Sequence, residues 1–321
     1  MTPAEEKQFA ALNQTLFKSI QIKCLHNAHE QSDAIVQFCD ALSRQVPKIH
    51  VKKETGDPDE MPAIQIHHGL LYQAAPAGTE IAPFIEALQM AVSETAQLDE
   101  SISAQLEAID LPTHLVLYVA PQCSFCPQAV RQLLPLLSAN HHIRLTIIDV
   151  ISFPELAEKD NLQSVPTLIL ENQFRWTGPF QTDEIVEMMV NRDPSALGPL
   201  SLEMMLKEGD AWRLAQMMLD DGHIFPAFYE LLTHPKWPVR LGAMVVMEEL
   251  IERNLDLALQ TIEPLWQQFH KVDDRVKGDL LYLFGQTGQK NMTPRLQEIL
   301  NGDFEQEVKE AAREALDKCK A

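Results

Sequence analysis

Cys123-Ser124-Phe125-Cys126 stands between two segments of opposite habit. Before it, His114 to Ala120 is almost unbroken apolar sequence, the composition of a buried strand. After it, Pro127 opens a helical pattern that runs to about Ser138. Proline suits a first helical turn because its missing N–H has no intrahelical partner there. Pro135, further along, is expected to kink or shorten that helix. Val165-Pro166-Thr167 then opens another apolar run. A strand, a dithiol at a helix start and a later proline opening a strand leave few topologies open. They also place two thiols where thiol–disulfide exchange is the expected chemistry.

From that centre the second part of the chain reads in order. Helical periodicity at 101–109 precedes the strand ending at Ala120. After the helix at 126–138 come a strand at 143–149, a short helix at 154–160, strands at 167–170 and 174–176, and a helix at 182–191. The order predicts a mixed sheet between helices. The first part repeats it. A helix at 3–17 leads to a strand at 20–25, a helix at 30–44, a strand at 49–53, and Met61-Pro62-Ala63-Ile64 in the place of Val165-Pro166-Thr167-Leu168. A helix at 81–90 closes it. In this alignment Ala28 stands opposite Cys123 and Gln31 opposite Cys126, so the first copy has no redox cysteines. The piece corresponding to the short helix near Pro154 is missing from it. Internal duplication is the simplest account, with units at 1–96 and 97–193.

Past Asn191 strand patterns vanish. Glycines at 198, 209, 222 and 288 punctuate helical sequence. Trp237-Pro238-Val239-Arg240, Asp274-Arg275-Val276-Lys277 and Glu307-Val308-Lys309 each open an apolar helix with Val followed by a basic residue. Their spacing of roughly 35 residues matches the helix-pair period of HEAT-like repeats. Residues 194–321 are therefore expected to form an all-α, HEAT-like domain.

Composition limits the partners. The formal net charge is −20, with 46 acidic and 26 basic residues, which disfavours nucleic acid and anionic membranes. The first residues lack a basic segment leading into an apolar one, and no run is long and apolar enough for a membrane span, so a cytoplasmic protein is expected. Three cysteines lie outside the motif. Cys24 and Cys39 fall on apolar faces and are expected to be buried; Cys319, near the end, is expected to be exposed. A zinc or iron–sulfur site needs four ligands, and a lone C-x-x-C supplies two, so no metal is expected. His26, His29, His67 and His68 read as surface or loop residues. No G-x-G-x-x-G follows a strand, so neither flavin nor nicotinamide is expected as cofactor, and electrons must come from an external reductase or a small thiol.

On Cys123-Ser124-Phe125-Cys126-Pro127 and Val165-Pro166-Thr167, residues 97–193 resemble the thioredoxin superfamily. Residues 1–193 resemble the tandem thioredoxin-fold protein disulfide oxidoreductases and the N-terminal domain of the alkyl hydroperoxide reductase flavoprotein, where the first fold is silent and the second carries C-x-x-C-P. The resemblance implies two tandem thioredoxin-like α/β folds. It implies Cys123 as nucleophile, Cys126 as resolving thiol and Pro166, in a cis peptide, as a substrate platform. Ser124, Phe125, Val165 and Thr167 are then expected to contact substrate. Two positions depart from thioredoxin itself: Gln122 replaces the Trp before the first cysteine, and Leu117 stands where a buried Asp accepts a proton. The immediate Pro127 fits the glutaredoxin-like and tandem-fold groups better.

The expected activity is thiol–disulfide oxidoreduction on protein disulfides, in the reductase range of about −200 to −270 mV. An electron-relay adaptor between a flavoprotein reductase and a peroxidase-type acceptor is the alternative. A third is a scaffold whose helical part binds a protein partner under redox control.

Overall fold

The computed structural model describes residues 2–93 and 98–320. The chain divides into two compact units, Met1–Arg192 and Asp193–Ala321. The boundary expected at 96/97 lies outside the described residues.

The first unit carries eight strands: β1 Ile20–His26, β2 Ile49–Thr55, β3 Ala63–His67, β4 Leu70–Gln73, β5 Thr113–Val119, β6 Ile143–Asp149, β7 Thr167–Leu170 and β8 Phe174–Thr177. Its helices are α1 Pro3–Thr15, α2 Ser32–Gln45, α3 Ile81–Met90, α4 Glu100–Glu107, α5 Cys126–Ala139, α6 Pro154–Lys159 and α7 Thr182–Asn191. The helix containing Pro135 is not shortened; it runs on to Ala139. Its buried face, from Cys126 through Val130, Leu133, Leu134 and Leu137, holds it against the core across the missing hydrogen bond.

All eight strands form one sheet in the order β2-β1-β3-β4-β6-β5-β7-β8. Each copy contributes four strands in the same internal order. The copies join edge to edge where β4 pairs in parallel with β6, setting Leu70 against Leu145 and Gln73 against Ile148. Backbone hydrogen bonding therefore continues across the seam, and one edge of each copy, β4 and β6, is covered by the other, leaving β2 and β8 as the outer edges. Helix contacts reinforce the join: Arg131 of α5 makes a bidentate pair with Glu86 of α3, at 2.7 and 2.8 Å. His29, in the silent copy's loop, lies 3.5 Å from Glu155 of α6 and its ring meets Phe153. Parallel pairing has a consequence for the site, because it sets the C-terminal ends of β4, β6 and β5 along the same rim of the sheet.

Cys24 and Cys39 are fully buried, as expected, on β1 and α2.

The second unit is helical among its described residues: α8 Pro199–Glu208, α9 Ala211–Asp221, α10 Phe228–Leu232, α11 Trp237–Arg253, α12 Leu255–Leu259, α13 Ile262–Gln268, α14 Asp274–Gln286, α15 Thr293–Asn301 and α16 Gln306–Lys320. Val239, Val276 and Val308 are all buried in the first turns of α11, α14 and α16. Arg240 is 2% exposed. Its Nε donates to Asp279 of α14 at 2.7 Å, and its Nη1 donates to the carbonyls of His234 and Pro235. At Gly285 α14 and α16 approach so closely that a Cβ would lie 2.8 Å from the Cα of Ala315. Cys319 corrects the expectation of exposure: it is 1% exposed. It continues the inward face Val308, Ala312, Ala315 and Leu316 at helical spacing, so α16 carries it into the core despite its position near the chain end.

Candidate active site

Strand β5 is buried along most of its length and delivers the chain to a short loop, Pro121–Phe125, before α5 begins at Cys126. Cys123 and Cys126 are joined as a disulfide with Cα atoms 5.5 Å apart. Cys126 is buried at 1%, whereas Cys123 is half-buried. The Cys126 backbone N–H, at the helix start, donates to Cys123 Sγ at 3.1 Å. An amide and the positive end of a helix aimed at one sulfur favour its thiolate.

The proline run sits across from this loop. The Val165–Pro166 peptide is cis, as the resemblance implies. The Val165 carbonyl oxygen lies 3.7 Å from Cys123 Sγ. Ser124 and Phe125 are exposed, Phe125 at 63%. Thr167 is placed differently from the other residues expected to meet substrate. It is 1% exposed, and its hydroxyl donates to the Ser164 carbonyl at 2.8 Å. The structure thus brings Cys123, Cys126, Val165 and Pro166 together, leaves Ser124 and Phe125 at the surface, and turns Thr167 inward.

The silent copy reaches into this site. Residues 77–80 follow β4, and the β4–β6 pairing brings them against the loop before Cys123. Thr79 N–H donates to the Pro121 carbonyl at 2.9 Å. Thr79 Oγ1 donates to the Cys123 carbonyl at 3.0 Å. Gly78 permits the contact: its φ is +55°, and a Cβ there would stand 2.5 Å from the Pro121 oxygen.

Glu80, next along, is a site residue that the sequence does not single out. It is 5% exposed and lines a small cavity with Tyr72, Ala74, Val119, Cys126, Pro127 and Ile147. Burial, with the nearby charge of Asp149 adding to it, raises its carboxyl to about 8, while the Ala77 N–H donated to Oε2 at 3.3 Å pulls the other way. Its Oε1 has no hydrogen-bond partner among the described residues. A carboxyl that titrates near neutrality beside the buried cysteine can hold or release a proton there. Leu117, where thioredoxin keeps its buried Asp, is a fully buried core residue of β5. The only sequence signal for Glu80 is a lone Glu opening an apolar helix, which by default reads as a solvated cap.

The fold and this dithiol geometry define the class: two tandem thioredoxin-like folds, the second carrying the cysteine pair, with a helix-rich C-terminal region. Residues 114–190 match the family model described as thioredoxin domain. The NTD_N/C domain of alkylhydroperoxide reductase AhpF from Enterococcus faecalis superposes with a TM-score of 0.52 at 21% identity, covering 59% of this chain and 99% of that one. A protein disulfide oxidoreductase from Aeropyrum pernix gives 0.53 at 13% identity, covering 59% and 91%. Among curated proteins, the chain is similar to an NADH dehydrogenase of Bacillus subtilis, 23% identical over 181 residues, or 55% of this chain and 35% of that protein. An alkyl hydroperoxide reductase protein of Pseudomonas aeruginosa is 26% identical over 118 residues, 37% of this chain and 23% of that protein. The chain thus spans about a third or less of the length of these curated relatives. No helix among the described residues is long and apolar enough to cross a membrane.

Proposed function

We propose that the protein is a cytoplasmic thiol–disulfide oxidoreductase that reduces protein disulfides through Cys123 and Cys126. The observation that carries this reading is the asymmetric pair. One sulfur is accessible and faces a helix-start amide, and the other is buried beside a carboxyl that titrates near neutrality. Cys123 attacks the substrate disulfide, releasing one substrate thiol. Cys126 then loses its proton to Glu80 and attacks Cys123, closing the pair and releasing the second thiol. The Val165 carbonyl, Phe125 and Ser124 form the surface on which a substrate chain lies; Pro166 shapes it from below, with Thr167 bracing Ser164. Residues 193–321 serve as a HEAT-like scaffold for a protein partner.

Insulin reduction with dithiothreitol tests the activity. Wild type should accelerate precipitation of the insulin chains, and Cys123→Ser should not. Equal rates in the two would refute the assignment.

A relay between a flavoprotein reductase and a peroxidase-type acceptor is the second reading. It is favoured by the coverage of the AhpF N-terminal domain by residues of the first unit. Trapping on Cys126→Ser separates them: many captured clients support general reduction, and one dominant acceptor supports a relay.

A further inference from the structure

The first turns of α11, α14 and α16 flank a groove of about 530 Å³. Trp237 lines it and is 55% exposed. Four carboxylates line it as well: Asp273, Asp274 and Asp279 around the start of α14, and Glu307 at the start of α16. Two of them are neutralised inside the helical unit. Arg240 holds Asp279, and Lys277 lies 2.6 Å from Asp274. Asp273 and Glu307 are exposed and make no ion pair among the described residues, with Arg275 of the same groove or with any other cation. An aromatic face beside unpaired carboxylates suits a lysine or arginine side chain, which gains a charge-assisted hydrogen bond and a cation–π contact together.

The groove continues into an apolar stripe. Trp237, Leu241 and Val245 recur at every fourth residue of α11, all of them exposed, over about 12 Å. Helix α14 runs beside α11 in the same direction: Arg240 meets Asp279, and further along Tyr282 donates its hydroxyl to Glu248 at 2.7 Å. Tyr282 is exposed too, with Lys318 of α16 engaged 4.9 Å from its ring. Gly278, one turn before Tyr282, leaves a gap in which a Cβ would meet nothing within 4 Å. Apolar side chains on α11 thus border an empty place on α14, and the exposed carboxylates Glu248 and Glu252 follow at the far end. Tryptophan and tyrosine exposed in one contiguous patch are the residues that protein interfaces use as anchors.

We propose that this face docks a basic amphipathic helix of a partner protein, with the partner's apolar side on Leu241 and Val245 and a lysine or arginine beside Trp237, Asp273 and Glu307. The proposal rests on the reading of residues 193–321 as a partner scaffold. Apolar residues spaced by four along a helix match the apolar side of a second helix laid against it, which gives the occupant its form. Charge gives its composition. Unpaired carboxylates at both ends of the stripe repel nucleic-acid phosphates and anionic headgroups. A second copy of this chain would set the same carboxylates against one another, and the formal net charge of −20 opposes that pairing further.

The test titrates the full-length protein into a fluorescein-labelled synthetic helix about three turns long, with leucines at every fourth position flanked by lysines and arginines. A second peptide keeps the leucines and carries glutamates instead. Anisotropy should show saturable binding of the basic peptide, at least tenfold tighter than the acidic one and weakening as salt rises. Trp237→Ala should weaken it about tenfold or more. Asp273→Asn, which keeps a capping side chain on α14, combined with Glu307→Gln should remove most of the salt dependence. Leu241→Ser, at an exposed position, gives a further variant should Trp237→Ala not fold; it too should weaken binding. Equal binding of both peptides, no binding of the basic one, or unchanged affinity in the variants would overturn the proposal. So would a dimer in sedimentation that Leu241→Ser dissociates, because the face would then belong to a second copy. Proteins co-purifying with the Cys123→Ser, Cys126→Ser chain, which cannot trap covalently, separate this proposal from the scaffold reading. None at all sinks the scaffold reading, whereas co-purification that survives Trp237→Ala overturns this surface alone.

Discussion

Thr79, from the copy without redox cysteines, donates its hydroxyl to the backbone carbonyl of Cys123 in the other copy, at 3.0 Å. With the amide bond from Thr79 to Pro121, it fixes the loop that presents the accessible sulfur. The silent fold is thereby part of the site's construction.

Gly78 is where that clamp is most vulnerable. Gly78→Ala forces a side chain into left-handed backbone and drives Cβ onto the Pro121 oxygen. A loss of about 2 kcal/mol or more is expected, with slower exchange because the Cys123 loop must shift. Thermal unfolding and insulin turnover on the same preparation check both, and an unchanged pair of values would count against the clamp.

The Glu80 carboxyl, raised from the ordinary value to about 8, makes stability depend on pH in an unusual direction. Between the two values the folded protein binds a proton that the unfolded chain has released. Its stabilising contribution is complete below about pH 4.5 and is lost as pH climbs through 8. Glu80→Gln removes this slope, on the order of 4–5 kcal/mol across the window. Denaturant midpoints at about pH 5 and about pH 8 should converge in the variant relative to wild type. Resolution of the mixed disulfide should slow by about 100-fold, the scale of a lost acid–base group.

The two cysteines should differ in what they retain. Cys126→Ser is expected to accumulate mixed disulfides on Cys123, because the group that would displace the client is gone. Cys123→Ser should retain none, since the remaining thiol is 1% exposed. Non-reducing electrophoresis after cell lysis in acid reads the contrast directly.

In the helical unit, Arg240 depends on Asp279 for neutralisation. Asp279→Ala leaves a buried guanidinium with two carbonyls and no counter-charge. The expected cost is about 3 kcal/mol. Replacing both residues with apolar side chains of similar volume should recover much of it. Chemical unfolding of the single and double variants separates these outcomes.

The order of strands and helices around Cys123 is readable because each local signal agrees with its neighbours: an apolar run, a proline at a helix start, a second proline opening a strand. The duplication is readable for the same reason. Cys319 departs from expectation because chain position counts for less than the apolar periodicity of α16, and the same kind of periodicity carries α5 past Pro135 to Ala139. Thr167 lies next to the cis proline in sequence, yet β7 is buried along its whole length and the Thr167 hydroxyl is taken up by the Ser164 carbonyl. The HEAT-like period predicts helices, and the structure adds the Arg240–Asp279 pair that ties two of them together.

The sequence alone determined the dithiol, its strand–loop–helix setting and the presence of a second copy without cysteines. These depend on residues close in the chain, where spacing and burial pattern act directly. Only the tertiary structure decided which carboxyl lies beside the buried cysteine. Position 117 holds a leucine, and Glu80 reaches the cavity beside Cys126 from the other fold, which the parallel pairing of β4 and β6 sets alongside. That pairing is long-range hydrogen bonding between strands more than 70 residues apart, and no local pattern around Cys123 encodes it.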